Sequence, residues 1–153
     1  MTALFANNSM VSFGDVNLAE DSIGGPYQAG AGGWPTVRYF NTDTGAEGKP
    51  YVKKTGGAMC EELGQDKYMN DYVLEAGSTS LCNAATGEAC TDKEKDFVLK
   101  WNGKSVDEVA AQVTRLRGMA ASSMKPELKE WLGQRLNALT QLQVAALAPK
   151  EEL

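Results

Sequence analysis

The sequence predicts an α/β chain in two parts, and three observations predict it. Glycine and strand-forming residues are concentrated in residues 1–77. Residues 78–153 instead carry capping-box tetrapeptides and leucines at helical spacing. The chain of 153 residues is 42% hydrophobic and 23% charged, which is ordinary for a globular protein of one domain or two small ones.

In the first part, MVSFGDVNL (Met10 to Leu18) alternates Val11 and Phe13, breaks register at Gly14, and resumes with Val16 and Leu18. It predicts a strand. Ala19 to Ile23 fits a short helix or turn. Gly24 to Gly33 holds five glycines and one proline in ten residues and predicts a loop. Thr36 to Asn41 predicts a second strand, rich in β-branched and aromatic residues. Proline is tolerated at the first residue of a strand but not within a central one, so Pro35 marks where this strand starts. Behind Trp34, that proline is either the plain end of a glycine-rich loop or a cis proline presenting backbone at a functional surface. Asn41 to Pro50 holds turn residues, and Tyr51 to Lys54 predicts a third strand, giving a hairpin with a long tip. Ala58 to Gly77 predicts a helix with Met59, Leu63, Met69, Tyr72 and Val73 on its apolar side and a break at Gly64.

The second part predicts three helices. Thr91-Asp92-Lys93-Glu94 and Ser105-Val106-Asp107-Glu108 are both capping-box patterns. The first opens a helix carrying Phe97, Val98 and Trp101, closed by Asn102-Gly103. The second carries Val106, Val109, Val113 and Leu116 at helical spacing. Pro126 suits the first turn of the third, where Leu128, Leu132, Leu136, Leu139 and Leu142 recur. Such stripes signify core, or a groove for a partner.

Composition excludes several function classes. A net charge of −5 offers no footprint for nucleic acid or an anionic membrane. No apolar run approaches membrane-spanning length, and the start MTALFANNSM has neither a basic segment nor a long apolar one. Without histidine, Ser-His-Asp and Cys-His catalysis and histidine-ligated metals are excluded within this chain. No cofactor-binding or metal-binding residues are expected.

Three cysteines remain. LCNAATGEAC sets Cys82 and Cys90 on either side of seven residues containing Thr86-Gly87, which is not CxxC spacing. They fit a small structural disulfide in an oxidising compartment, or two reduced thiols in a reducing one. Cys60 is left over near the start of a predicted helix, either a buried small hydrophobe or a thiol activated by the helix N-terminus.

The chain ends Lys150-Glu151-Glu152-Leu153, which resembles the KDEL-type signal read by the endoplasmic-reticulum retrieval receptor. That address implies the oxidising lumen, supports a Cys82–Cys90 disulfide with Cys60 a free thiol, and makes Asn7-Asn8-Ser9 a glycosylation sequon on Asn7. It also implies a signal peptide in the full precursor.

The order of elements resembles the C-terminal half of a thioredoxin fold. FGDVNLAED resembles the third strand and the acidic turn after it. GGWPTVRYFN resembles the cis-proline segment, and YVKKTGGAMCEELG resembles the fifth strand running into the last helix. The likeness covers about Phe5 to Ala76. With the terminal tetrapeptide, the family implied is the disulfide-isomerase-like proteins of the endoplasmic reticulum. MKPELKEWLGQRLNALTQL resembles the end of the helical D-domain that some of them carry.

The resemblance implies an incomplete thioredoxin-like fold (strand, helix, strand, hairpin, helix) over 1–77 and a three-helix domain over 78–153. It implies that Trp34, Pro35 and Thr36 bind extended, cysteine-containing client proteins by strand addition. The departure from the family is large. No CxxC occurs in this chain, and the first two strands and first helix have no counterpart. Catalytic residues are therefore expected to lie outside this chain, as CxxC or as CxxU with selenocysteine. The expected function is thiol–disulfide exchange in protein folding with the redox motif missing here, or a redox-inactive chaperone or escort.

Overall fold

Both capping boxes start helices where the sequence places them. The Thr91 hydroxyl accepts the Glu94 N–H at 3.3 Å, and the Glu94 carboxylate accepts the Thr91 N–H at 2.9 Å. Ser105 and Glu108 make the same exchange at 3.2 and 3.1 Å. The computed structural model describes residues 2–6, 8–14, 17–20, 22–24, 27–28 and 36–148. Among them lie two short antiparallel strands and five α-helices: β1 (Arg38–Tyr39), β2 (Lys49–Pro50), α1 (Met59–Leu63), α2 (Asp66–Gly77), α3 (Asp92–Trp101), α4 (Val106–Ala120) and α5 (Pro126–Leu147). The described chain is thus mixed in class and mostly helical.

It divides into two units. One is Met1–Val11 with Gly77–Leu153, and the other is Ser12–Ala76. In the first, α3 and α4 pack against α5. Val109, Val113 and Leu116 of α4 meet Leu132, Leu136 and Leu139 of α5 in one buried cluster. Val98 of α3 packs with Ala84 and Ala138 in a second. Four of the five leucines predicted for the stripe face inward to some degree, while Leu128, in the first turn of α5, is 56% exposed. Gly133 is buried, because the Ser78 backbone lies directly against the helix there.

The second unit holds the hairpin, paired Arg38 with Pro50 and Tyr39 with Lys49. Its tip is set by Asn41, whose Oδ1 accepts the N–H groups of Asp43 and Thr44, each at 3.0 Å. This is an Asx turn. Gly48 has φ +63°, and a Cβ there would sit 2.9 Å from the Tyr39 carbonyl oxygen, so only glycine fits. The break predicted at Gly64 separates α1 from α2.

Two predicted strands are corrected. Among the described residues, Met10–Gly14 and Asn17–Leu18 form turns and irregular chain, not a strand. The reason is local. The Met10 N–H is donated to Asn8 Oδ1 at 3.0 Å and the Val11 N–H to the Asn8 carbonyl at 3.3 Å, so no ladder starts. Asn17 organises the next stretch as a turn, accepting the Ala19 N–H at 3.0 Å through its side chain. The third strand falls at Lys49–Pro50 rather than Tyr51–Lys54. There the Lys54 and Thr55 N–H groups are taken by the Glu62 carboxylate, at 2.8 and 2.6 Å.

Candidate functional site

The site is built around the disulfide loop. Cys82 and Cys90 are joined, with S–S 2.00 Å and Cα–Cα 4.2 Å. The loop folds on Asn83. Its Oδ1 accepts the Ala85 and Thr86 N–H groups at 2.9 and 3.2 Å, and its carbonyl accepts the Gly87 N–H at 2.8 Å. Gly87, at φ +75°, supplies the left-handed residue that this turn requires.

A polar cradle on α5 holds the loop. Gln141 Nε2 donates to the Cys82 carbonyl at 2.8 Å, and its Oε1 accepts the Ala84 N–H at 2.9 Å. Asn137, 1% exposed, donates to the Ser80 carbonyl at 3.2 Å and accepts from Gln141 Nε2 at 3.1 Å. From the N-terminal segment, Asn8 donates to the Ser80 carbonyl at 2.9 Å and to Thr79 Oγ1 at 3.1 Å. On the other side, the Ser80 hydroxyl donates to Glu94, whose carboxylate also accepts the Thr91 hydroxyl at 2.8 Å. Glu94 is 2% exposed and yet has its oxygens bonded, as burial of a carboxylate requires. The Ser80 and Cys82 carbonyls and the Cys82 and Ala84 N–H groups, in a stretch that belongs to no helix or strand, thus find partners in side chains.

Beside this cradle lies an open pocket of about 240 Å³, lined among others by Leu4, Asn8, Asn83, Glu88, Asn137 and Gln141. The amide N–H groups of Asn8, Asn137 and Gln141 that line it are already committed to holding the loop. Cys82 is buried beneath it and its sulfur is spent in the disulfide.

The remaining sequence-derived site residues fall elsewhere. Thr36 is half-buried just ahead of β1. Cys60 is a free cysteine on α1, in the other unit, and it is exposed rather than a buried small hydrophobe. Trp34, Pro35, Asn7 and Lys150–Leu153 lie outside the described residues. Among the described residues, no group of three or more cysteine or acidic side chains could hold a metal ion, and no helix is long and apolar enough to cross a membrane.

Sequence reading missed a second polar centre, in the Ser12–Ala76 unit. Glu62 is 1% exposed and accepts from the Tyr51 hydroxyl as well as from Lys54 and Thr55. Burial alone would push its carboxyl up. Hydrogen bonds from the Thr55 and Tyr51 side chains and from the backbone outweigh burial and hold it at about 2. The same bond, with burial second, pushes Tyr51 up to about 12. Tyr51 and Tyr39 both pack edge-on against Tyr72, with centroids 4.6 and 5.8 Å away. In the sequence Glu62 follows Glu61 on a short, acidic helical stretch and reads as surface.

A pH dependence follows. The folded carboxyl of Glu62 titrates below an unfolded glutamate at about 4.3, so its stabilising contribution is complete above that value. It is lost as the pH falls toward about 2. Urea unfolding of the tyrosine-rich unit should therefore show a midpoint that drops on acidification through this window. Glu62→Gln should start lower at neutral pH and fall less. Equal slopes in both proteins would mean that Glu62 does not carry the effect.

Comparison with protein-family models, with curated proteins and with solved structures finds no match to this chain.

Proposed function

We propose that this chain is a redox-inactive binding module of the endoplasmic-reticulum lumen, an escort or chaperone for cysteine-containing client proteins. The carrying observation is the Cys82–Cys90 disulfide, with Cys82 2% exposed and cradled by Asn137 and Gln141. Exchange chemistry needs an attacking thiolate and a resolving thiol. Here the paired cysteines are already joined, and Cys60 lies in the other unit. The disulfide and the Lys-Glu-Glu-Leu terminus both support an oxidising lumen, where the retrieval receptor would be the second partner.

A second reading makes the chain part of a disulfide isomerase whose CxxC or CxxU is supplied from outside these residues. Its support is the order hairpin, then helix, over Arg38–Gly77, which is the order of elements at the end of a thioredoxin-like fold. Under that reading Trp34-Pro35-Thr36 would position the client.

Two assays test the proposal on the purified chain. Insulin reduction should not exceed that of a free thiol, and aggregation of an unfolding cysteine-containing protein should slow saturably as the chain is added. Turnover that Cys60→Ser abolishes would overturn the non-catalytic reading. Unchanged aggregation at molar excess would overturn the binding reading.

A further inference from the structure

On the helical unit, α3 and α5 bring an aromatic cluster and unpaired cations together. Lys93 Nζ stands 4.0 Å from the Trp131 ring centroid, and the Arg135 guanidinium carbon stands 5.6 Å from it. Phe97 meets the same ring edge-on at 5.7 Å, and Trp101 lies 6.1 Å beyond Phe97. Arg115 of α4 is close enough to act on Arg135.

The charges here are unbalanced. The ion pairs among the described residues join Lys54, Lys67, Lys95 and Lys104 to carboxylates, and none involves Lys93, Arg115 or Arg135. Among the described residues, Arg115 is bonded only to Gln112 Oε1 at 3.0 Å and to Met119 Sδ at 3.6 Å. Arg135 uses its Nε on the Trp131 carbonyl at 3.4 Å, which leaves its terminal nitrogens without an intramolecular acceptor among the described residues. Burial and the Arg115 charge lower the Arg135 pKa, and no carboxylate acts against them. In a chain of net charge −5 carboxylates are plentiful, yet among the described residues no ion pair joins either arginine to one. A partly desolvated guanidinium beside a second cation is costly, and among the described residues the Trp131 ring and carbonyl are its contacts.

We propose that Lys93 and Arg135, both over the Trp131 ring that Phe97 meets edge-on, together with Arg115 close enough to act on Arg135, form a docking site for an acidic polypeptide segment. Guanidinium groups accept carboxylates in bidentate geometry, and the half-buried aromatic rings give an apolar side chain of the same segment a surface. The net negative charge of the whole chain disfavours a long polyanion such as nucleic acid, because only a short stretch of ligand charge meets the cations. This proposal rests on the binding-module reading and names the chemistry of its partner.

Fluorescence anisotropy of a dye-labelled, glutamate-rich peptide bearing one phenylalanine tests it, with the glutamine-for-glutamate peptide as control. The full chain should bind the acidic peptide saturably, more weakly as salt rises, and the control peptide at least roughly tenfold more weakly. Arg115→Gln with Arg135→Gln should remove that preference while circular dichroism keeps its helical signal. If that variant unfolds, Lys93→Gln with Arg115→Gln, both at exposed positions, should show the same loss. Equal binding of the two peptides, or a preference that survives both variants, overturns the acidic site and leaves the binding-module reading standing. Tighter binding of a single-stranded RNA oligonucleotide also overturns it. Binding of neither peptide, together with no effect on client aggregation, overturns both proposals.

Discussion

Gly133→Ala should unfold the helical unit at a temperature roughly 10–20 °C below the parent, the largest loss from any single added methyl group. The position lies inside α5, where alanine would ordinarily be the better helix former by about 1 kcal/mol. That preference is overruled by geometry. An added Cβ would lie 1.5 Å from the Ser78 carbonyl oxygen and 2.7 Å from its carbon. Both are backbone atoms, so no rotamer change relieves the clash. Ser78 cannot simply withdraw, because the residues next to it are bonded. Thr79 and Ser80 are tied to Asn8, and Ser80 also to Asn137. Ser78 itself sits at φ +46°, a left-handed conformation that a β-carbon already makes costly. Overpacking of a rigid site costs about 3 kcal/mol or occasionally more, and the contact here is at the severe end. Thermal melts followed at a helical wavelength decide the matter. A melting temperature within a few degrees of the parent would mean that the Ser78 segment does not press on α5 in solution. Gly118→Ala is the matched control, because a Cβ there meets nothing within 4 Å. It should raise the melting temperature slightly.

Elements defined by short-range chemistry were legible in the sequence, and those that depend on distant partners were not. Thr91-Glu94 and Ser105-Glu108 carry their caps within four residues, so both helix starts could be read directly. The hairpin tip was legible for the same reason, since Asn41 and the glycines after it encode their own turn. The strand expected at Met10–Leu18 failed because alternation is only permission to pair. Asn8 captures the backbone groups that a neighbouring strand would need. The cradle around Cys82 was invisible for a related reason. Asn8, Asn137 and Gln141 converge from separations of 55 to 72 residues. In the sequence, Asn137 and Gln141 look like polar interruptions of a leucine stripe. Glu62 shows the same limit, since a glutamate beside Leu63 reads as surface until the Tyr51–Thr55 chain is seen to fold over it. The joined cysteines needed no such foresight, because a seven-residue spacing across a turn brings them together locally.

Replacing both Cys82 and Cys90 by alanine should destabilise the helical unit by about 2–3 kcal/mol, the loop-closure entropy that an eight-residue separation restores to the unfolded chain. The loss acts mainly through that unfolded state. In the folded state the loop keeps its other holds: Gln141 on the Cys82 carbonyl and the Ala84 N–H, and Asn83 within the turn. Each such bond contributes roughly 0.5–1.5 kcal/mol net, so together they are comparable to the disulfide and should keep the loop in place without it. Two measurements follow from this balance. The melting temperature of the helical unit should fall by roughly 10–20 °C, and dithiothreitol should produce the same fall in the parent protein and none in the double variant. Helical content before the melt should stay unchanged, because α3 and α5 meet through the Val98–Ala138 cluster independently of the sulfurs. Cys60→Ala should have no comparable effect, since that thiol is exposed and unjoined. A parent protein whose melt ignores the reductant would show that the Cys82–Cys90 bond does not form, and an oxidising compartment would then have no structural support.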